Sequence, residues 1–244
     1  MARSYQTEAV VLRSIRYAEA DRVLHLYTAE RGRVNAIAKG VRKTTSRFGA
    51  RLEPLTHATL MLHEGRGELH TVSGADIVHH HQPVRDDPGR LGVGTIAAEA
   101  VLKLFPEPEP NARMFAGLGR FLDVLETHAV EGDPVLDPVG LAFQLKLLVI
   151  AGYLPHLDSC ASCGAGPPLV GFSAAAGGAV CERCFGQTAA FRLGPDSLDL
   201  LEQLIDRPLG PLELPPRAAH DALRVVEATY EYHGGFRLRT LHSG

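Results

Sequence analysis

The four cysteines of this 244-residue chain are its sharpest chemical signal. Cys160 and Cys163 are separated by two residues, as are Cys181 and Cys184, and 17 residues lie between the pairs. A two-residue gap lets both thiolates of a turn point at adjacent corners of a tetrahedron, so this spacing is a strong zinc pattern. Gly164 and Gly186 lie just beyond each pair, where the backbone must fold back to offer N–H groups to sulfur. Two disulfides are the competing reading, disfavoured in a cytosolic chain. A redox Cys-x-x-Cys would need a βαβ context that is absent here. Four thiolates also fill the coordination sphere and leave no place for a reacting water. The expectation is one structural Zn2+ held by Cys160, Cys163, Cys181 and Cys184, without which residues 174–179 could hardly fold.

A second constellation is electrostatic. Residues 31–51 carry Arg31, Arg33, Lys39, Arg42, Lys43, Arg47 and Arg51 without one acid. Lys and Arg neutralise phosphates, Thr44, Thr45 and Ser46 can hydrogen-bond them, and Phe48 either stacks on a base or packs. A charged run is more often a solvated loop, but 21 residues free of acid on a β-rich segment favour nucleic acid. The expected nucleic-acid-binding residues are Lys39, Arg42, Lys43, Arg47, Arg51 and Arg33, with Arg13, Arg16 and Arg66 as weaker candidates at connections. Lys43-Thr44 is not a P-loop, because Arg42 stands where a glycine is required.

Other chemistry is thin. Among twelve histidines, His79, His80 and His81 are adjacent, and in extended or loop backbone all three cannot converge on one ion, so no metal site is assigned there. Neither an H-E-x-x-H nor a G-x-S-x-G motif occurs, and loop solvation accounts for Asp86-Asp87. Nothing points to an enzyme.

The elements that must position these residues change character near residue 80. Residues 7–14, 22–28, 33–38, 58–63 and 68–72 read as short strands, with Leu24 and Leu26 on one side of the second and Val23, His25 and Tyr27 on the other. Gly32 and Gly65-Arg66-Gly67 supply hairpin turns. Five strands with a basic connection between the third and fourth fit a small Greek-key barrel, OB-fold or SH3-like. Helical spacing follows over residues 90–105, stopped by Pro106, Pro108 and Pro110, and over residues 112–128. Asp137-Pro138 caps an apolar helix to about residue 151, ended by Gly152. Residues 196–205 and 216–232 are the last helices, the second ended by Gly234-Gly235.

The net charge of −3 hides an asymmetry. Residues 1–80 hold 12 Lys/Arg against 8 Asp/Glu, whereas residues 81–244 hold 13 against 20. Screening limits the reach of the acidic part to about 8–10 Å, so a local basic block still attracts phosphate. Hydrophobic residues at 45% and charged residues at 22% indicate an ordinary globular protein. The longest apolar stretch, residues 141–154, is too short to span a bilayer and contains Gln144 and Lys146. With no secretory signal, the expected location is the cytoplasm.

These residues resemble the RecO family. The likeness runs through Val10-Val11-Leu12, Tyr17, Glu19-Ala20-Asp21, Thr28, Gly32 and Ala38-Lys39-Gly40, then Ser46-Arg47-Phe48, Leu52-Glu53-Pro54 and Gly65-Arg66-Gly67-Glu68-Leu69. It resumes at Ala151-Gly152-Tyr153-Leu154-Pro155, the first cysteine pair with Gly164, Phe172-Ser173, Gly177-Gly178 and the second pair, covering about residues 7–205. The resemblance implies an α+β multidomain protein: an N-terminal OB-fold β-barrel, then a helical domain with a four-cysteine zinc-binding insertion. The corresponding segments are residues 1–80, 81–155, 156–187 for the insertion, and 188–244. It further implies a recombination mediator that binds single- and double-stranded DNA, anneals complementary strands and acts with RecR. Such a protein helps RecA load onto DNA coated by single-strand-binding protein, whose C-terminal tail would dock on the helical domain. The low pI of about 6.5 departs from that pattern and makes the DNA surface local. The alternative is an interaction adaptor whose basic loop docks a protein partner, DNA contact being secondary.

Overall fold

Side chains alternate over the first 80 residues because one face of each strand is buried, and five strands result. They are β1 (Ser4–Tyr17), β2 (Asp21–Thr28), β3 (Gly32–Ala38), β4 (His57–His63) and β5 (Leu69–His79). The structure is a computed structural model and describes residues 3–41, 48–65 and 67–241. Ala9 and Val11 of β1, Leu24 and Leu26 of β2, and Val34, Ala36 and Ala38 of β3 share one core with Ala58, Leu60 and Leu62 of β4 and Val72 of β5. That is the period-2 signature of a half-buried strand. Four antiparallel pairings and one short parallel pairing, residues 35–37 against 69–71, give the closed order β1-β2-β3-β5-β4. β1 serves two neighbours: its first half pairs with β4 and its second with β2, and the register shifts between Val11 and Arg13. Such a bulge bends the strand around the barrel. This closed five-stranded order is OB-like and resolves the choice that periodicity left open.

β1 and β5 run several residues past their alternating patterns. Their outer ends leave the core, where Tyr17, Ile77 and Val78 are exposed, so no burial pattern marks them. Phe48, offered by the sequence as either a stacking or a packing residue, is packed: it is 3% exposed and belongs to the barrel core with Leu52.

Three helices complete the first of two compact units, residues 1–127 and 128–244. They are α1 (Gln82–Asp86), α2 (Pro88–Leu104) and α3 (Ala112–Thr127). Asp87 caps α2 by accepting from the Arg90 N–H at 2.8 Å, and Asp86 accepts from Gln82 at 2.6 Å, so these two carboxylates have separate structural tasks. Past α2, Phe105 sets its ring edge-on to Tyr27 at 6.3 Å and covers the outer face of β2. Burial there pushes the Tyr27 hydroxyl up to about 12. Gly32 has φ +59°, and a Cβ on it would stand 2.0 Å from the Glu109 carbonyl oxygen, so the proline-bearing loop depends on a glycine in the β2–β3 turn.

In the second unit, α4 (Pro138–Ile150) is the central helix, with Val139 to Leu145 buried without interruption. Asp137 caps it, accepting from the Gly140 N–H at 2.9 Å and meeting His128 Nε2 at 2.6 Å. Gly152 follows with φ +88°. The buried amide oxygen of Gln144 accepts from the Tyr230 hydroxyl. The helix α6 (Ser197–Asp206) and the longer α7 (Pro216–Thr229) pack on α4. Asp221 of α7 is buried and accepts from the Gly194 N–H at 2.7 Å and from Ser197 Oγ at 2.8 Å. Asp221→Ala leaves both donors unpaired and is expected to lower the stability of this unit by about 2–3 kcal/mol, read as a fall in the urea midpoint. Among the described residues no helix is long and apolar enough to cross a membrane.

Candidate metal centre and nucleic-acid interface

The cysteine region is a three-stranded sheet of order β7-β6-β8, made of β6 (Leu169–Ser173), β7 (Gly178–Cys181) and β8 (Phe191–Arg192), with the one-turn helix α5 (Glu182–Phe185). The first cysteine pair is a tight knuckle: the Gly164 N–H donates to the Cys160 carbonyl at 2.8 Å and the Cys160 N–H to that of Ala165 at 2.8 Å. Gly164 takes φ +73°, as that reversal requires. The second pair is built differently, for Gly186 has an ordinary φ of −75° and the turn is made by α5, which begins directly after Cys181. The knuckle is anchored to β7 by the Ala161 N–H, which donates to the Ala179 carbonyl at 2.8 Å. The preceding His156 donates to the Gly177 carbonyl at 3.0 Å and accepts from the Ala179 N–H at 2.8 Å. A Cβ at Gly178 would stand 2.1 Å from the His156 carbonyl oxygen, so only glycine permits that approach.

All four sulfurs lie within 4.8 Å of one another, and Cys163 and Cys181 are 3.8 Å apart. For Zn–S bonds of about 2.3 Å, the edge of a tetrahedron is about 3.8 Å, so the donor set fits a tetrahedral ion. None of the four is in a disulfide. Backbone N–H groups, foremost that of Cys181, pull the Cys160 thiol down to about 6, while the sulfur of Cys163 beside it pushes Cys184 up to about 11. Crowded thiolates resist sharing charge, and a cation at their centre removes that conflict. Cys160, Cys184 and Val180 form one buried cluster of this region, with Ala165, Leu169 and Phe185 against it, and Phe172 and Ala179 are buried as well.

The basic residues separate into two groups. Arg13 and Arg16 are exposed on the second half of β1, and Lys39 is exposed where the chain leaves β3. Asp21 accepts from the Gly40 N–H at 2.7 Å, which ties the start of the basic connection to the β1–β2 turn and places Lys39 at the same end of the barrel as Arg16. Arg51 is exposed on a short 3-10 helix, Gly49–Leu52. Arg33 points elsewhere: its guanidinium reaches the Leu102 carbonyl at 3.5 Å and its Nε is buried. Glu64 pairs with Arg31 at 2.6 Å, so the chain just after β4 sits by the β2–β3 turn, away from Lys39. Arg42, Lys43, Arg47 and Arg66 themselves lie outside the described residues.

Cross-strand register exposes a surface that charge counting missed. Arg13 faces His25, His25 faces Asn35, Ile15 faces Val23 and Tyr17 faces Asp21. Because Leu24 and Leu26 point inward, these rows lie on the outer face of β1–β3. Tyr17 is 55% exposed there and Ile15 is exposed beside it. The His25 ring bonds Asn35 at 2.7 Å, and partial burial lowers its pKa, so it is a neutral polar group on that face.

A family model described as Recombination protein O N terminal matches residues 1–81, and one described as Recombination protein O C terminal matches residues 85–242. The chain belongs to the RecO family of DNA repair proteins. Relatives named DNA repair protein RecO extend over nearly its whole length. The protein of Rubrobacter xylanophilus is 40% identical over 91% of this chain and 88% of its own. That of Anaeromyxobacter sp. strain K is 38% identical over 94% and 91%, and that of Frankia casuarinae 39% identical over 97% and 96%. The OB-like barrel thus coincides with the RecO N-terminal region, and the four-cysteine centre falls within the RecO C-terminal region.

Proposed function

We propose that this chain is a non-enzymatic recombination mediator that binds single- and double-stranded DNA and anneals complementary strands. It acts with RecR to help RecA load onto DNA coated by single-strand-binding protein. The observation that carries this reading is the outer face of β1–β3, where Arg13 and Tyr17 meet solvent at the end of the barrel from which Lys39 opens the acid-free connection. Arg13, Arg16 and Lys39 neutralise phosphates, and Tyr17 offers a ring on which any base can stack, so binding tolerates sequence. Backbone neutralisation removes the repulsion between two strands while leaving base edges free to pair, and annealing follows without nucleotide hydrolysis. The ion of the four-cysteine centre is Zn2+, held by Cys160, Cys163, Cys181 and Cys184. Four thiolates leave it no reactive position, so it organises the fold of that region and supplies no reagent.

The test is annealing of complementary oligonucleotides coated with the cognate single-strand-binding protein, at physiological salt and without nucleotide. Annealing much faster than the protein-free rate is expected. Its absence with folded, metal-loaded protein, while RecR still binds tightly, would favour the adaptor reading instead.

A further inference from the structure

The fold separates the three adjacent histidines. β5 ends at His79, and His80 turns aside to accept from the Arg85 guanidinium at 2.5 Å. His81 has φ +47°, a left-handed conformation that a residue with a Cβ seldom adopts, and its ring lies beside that of His79 with centroids 4.3 Å apart. Both rings address one atom near the end of α3: His79 Nε2 is 2.8 Å, and His81 Nδ1 3.0 Å, from Glu126 Oε1. His81 is 1% exposed, Glu126 is mostly covered and His79 is half exposed, so the cluster is walled on one side and open to solvent on the other. Asp123, one turn earlier on α3, adds negative charge that acts on His81.

Two imidazoles and a carboxylate with all donor atoms within 4.8 Å of one another are a metal-ligand set. At bond lengths of about 2.0–2.1 Å, ligands around a tetrahedral ion stand about 3.3 Å apart, so separations of 2.8 and 3.0 Å require shifts of a few tenths of an ångström. Without an ion, a single carboxylate oxygen must serve two rings. We propose that His79, His81 and Glu126 form a second metal site, separate from the four-cysteine centre, that takes a first-row divalent ion. The imidazole-rich set favours Zn2+, Co2+ or Ni2+ over Mg2+ or Ca2+. Three protein ligands leave at least one position for water, and Asp123 adds further negative charge to the site. The ion fastens the end of the last barrel strand to the end of α3, so the site stiffens the junction between barrel and helices in the first unit.

The test counts metal in untagged full-length protein equilibrated with buffered Zn2+ and gel-filtered, with Co2+ substitution reporting ligand type. Wild-type protein is expected to hold two ions per chain, one thiolate-bound and one nitrogen/oxygen-bound. His79→Gln and Glu126→Gln should each hold one and lose only the nitrogen/oxygen-type cobalt spectrum, whereas His80→Gln should keep two. A wild-type chain holding a single thiolate-type ion overturns the proposal, as do His79→Gln and Glu126→Gln variants that retain both. The wild-type count and spectrum decide the matter even if a variant folds poorly.

Discussion

Removal of the thiolate-bound ion should unfold the region of residues 156–192 and leave the barrel intact. That region has a small apolar core: Cys160, Cys184 and Val180 cluster with Ala165, Leu169, Ala176, Phe185 and Ala190, and Leu157, Phe172 and Ala179 are buried besides. Its strands are five, four and two residues long. So few apolar side chains cannot offset the ordering of more than thirty residues at about 1–2 kcal/mol of backbone entropy each. A structural zinc contributes about 10–16 kcal/mol of apparent binding free energy in isolated zinc-finger peptides, enough to reverse the balance here. Chelation, or Cys160→Ala with Cys184→Ala, should therefore produce new protease cuts between residues 156 and 192 while residues 1–127, a separate compact unit, stay resistant. Oligonucleotide binding through the barrel should persist. Chelated protein whose cysteine region stays protected would show that the ion has no structural role.

Replacing Lys39, Arg42, Lys43 and Arg47 together by Ala should flatten the dependence of log affinity on log salt for single-stranded DNA by about 2.8, since each lost phosphate contact removes about 0.7. Fluorescence anisotropy over a salt series reads this directly, and the loss should be similar for any base sequence. Arg33→Ala is the informative control, because its guanidinium is engaged with the end of α2 and its removal should leave the slope unchanged. Tyr17→Ala should do the reverse, weakening binding by about 1–3 kcal/mol through lost stacking with little change in slope. A quadruple variant with the wild-type slope would take the basic connection out of the DNA site.

Local chemistry made much of this molecule legible in the sequence. The cysteine ligands could be named because their spacing is a local geometric requirement, and the sulfurs do converge. Asp137 and Gly152 mark the ends of α4 because caps and left-handed residues act within one turn. The barrel strands follow from alternation wherever one face is buried. Other features needed the tertiary structure. Phe48 enters the core and Arg33 turns to α2 because of what the closed barrel and the next helix place beside them. Tyr17 and His25 join one surface only through cross-strand register. His79 and His81 lie 47 and 45 residues from Glu126 and meet it because α3 returns to the end of β5. Spacing along the chain governs contacts within a turn, a hairpin or a knuckle. Contacts across tens of residues depend on how the strands close and where the helices are laid down, which no local pattern encodes.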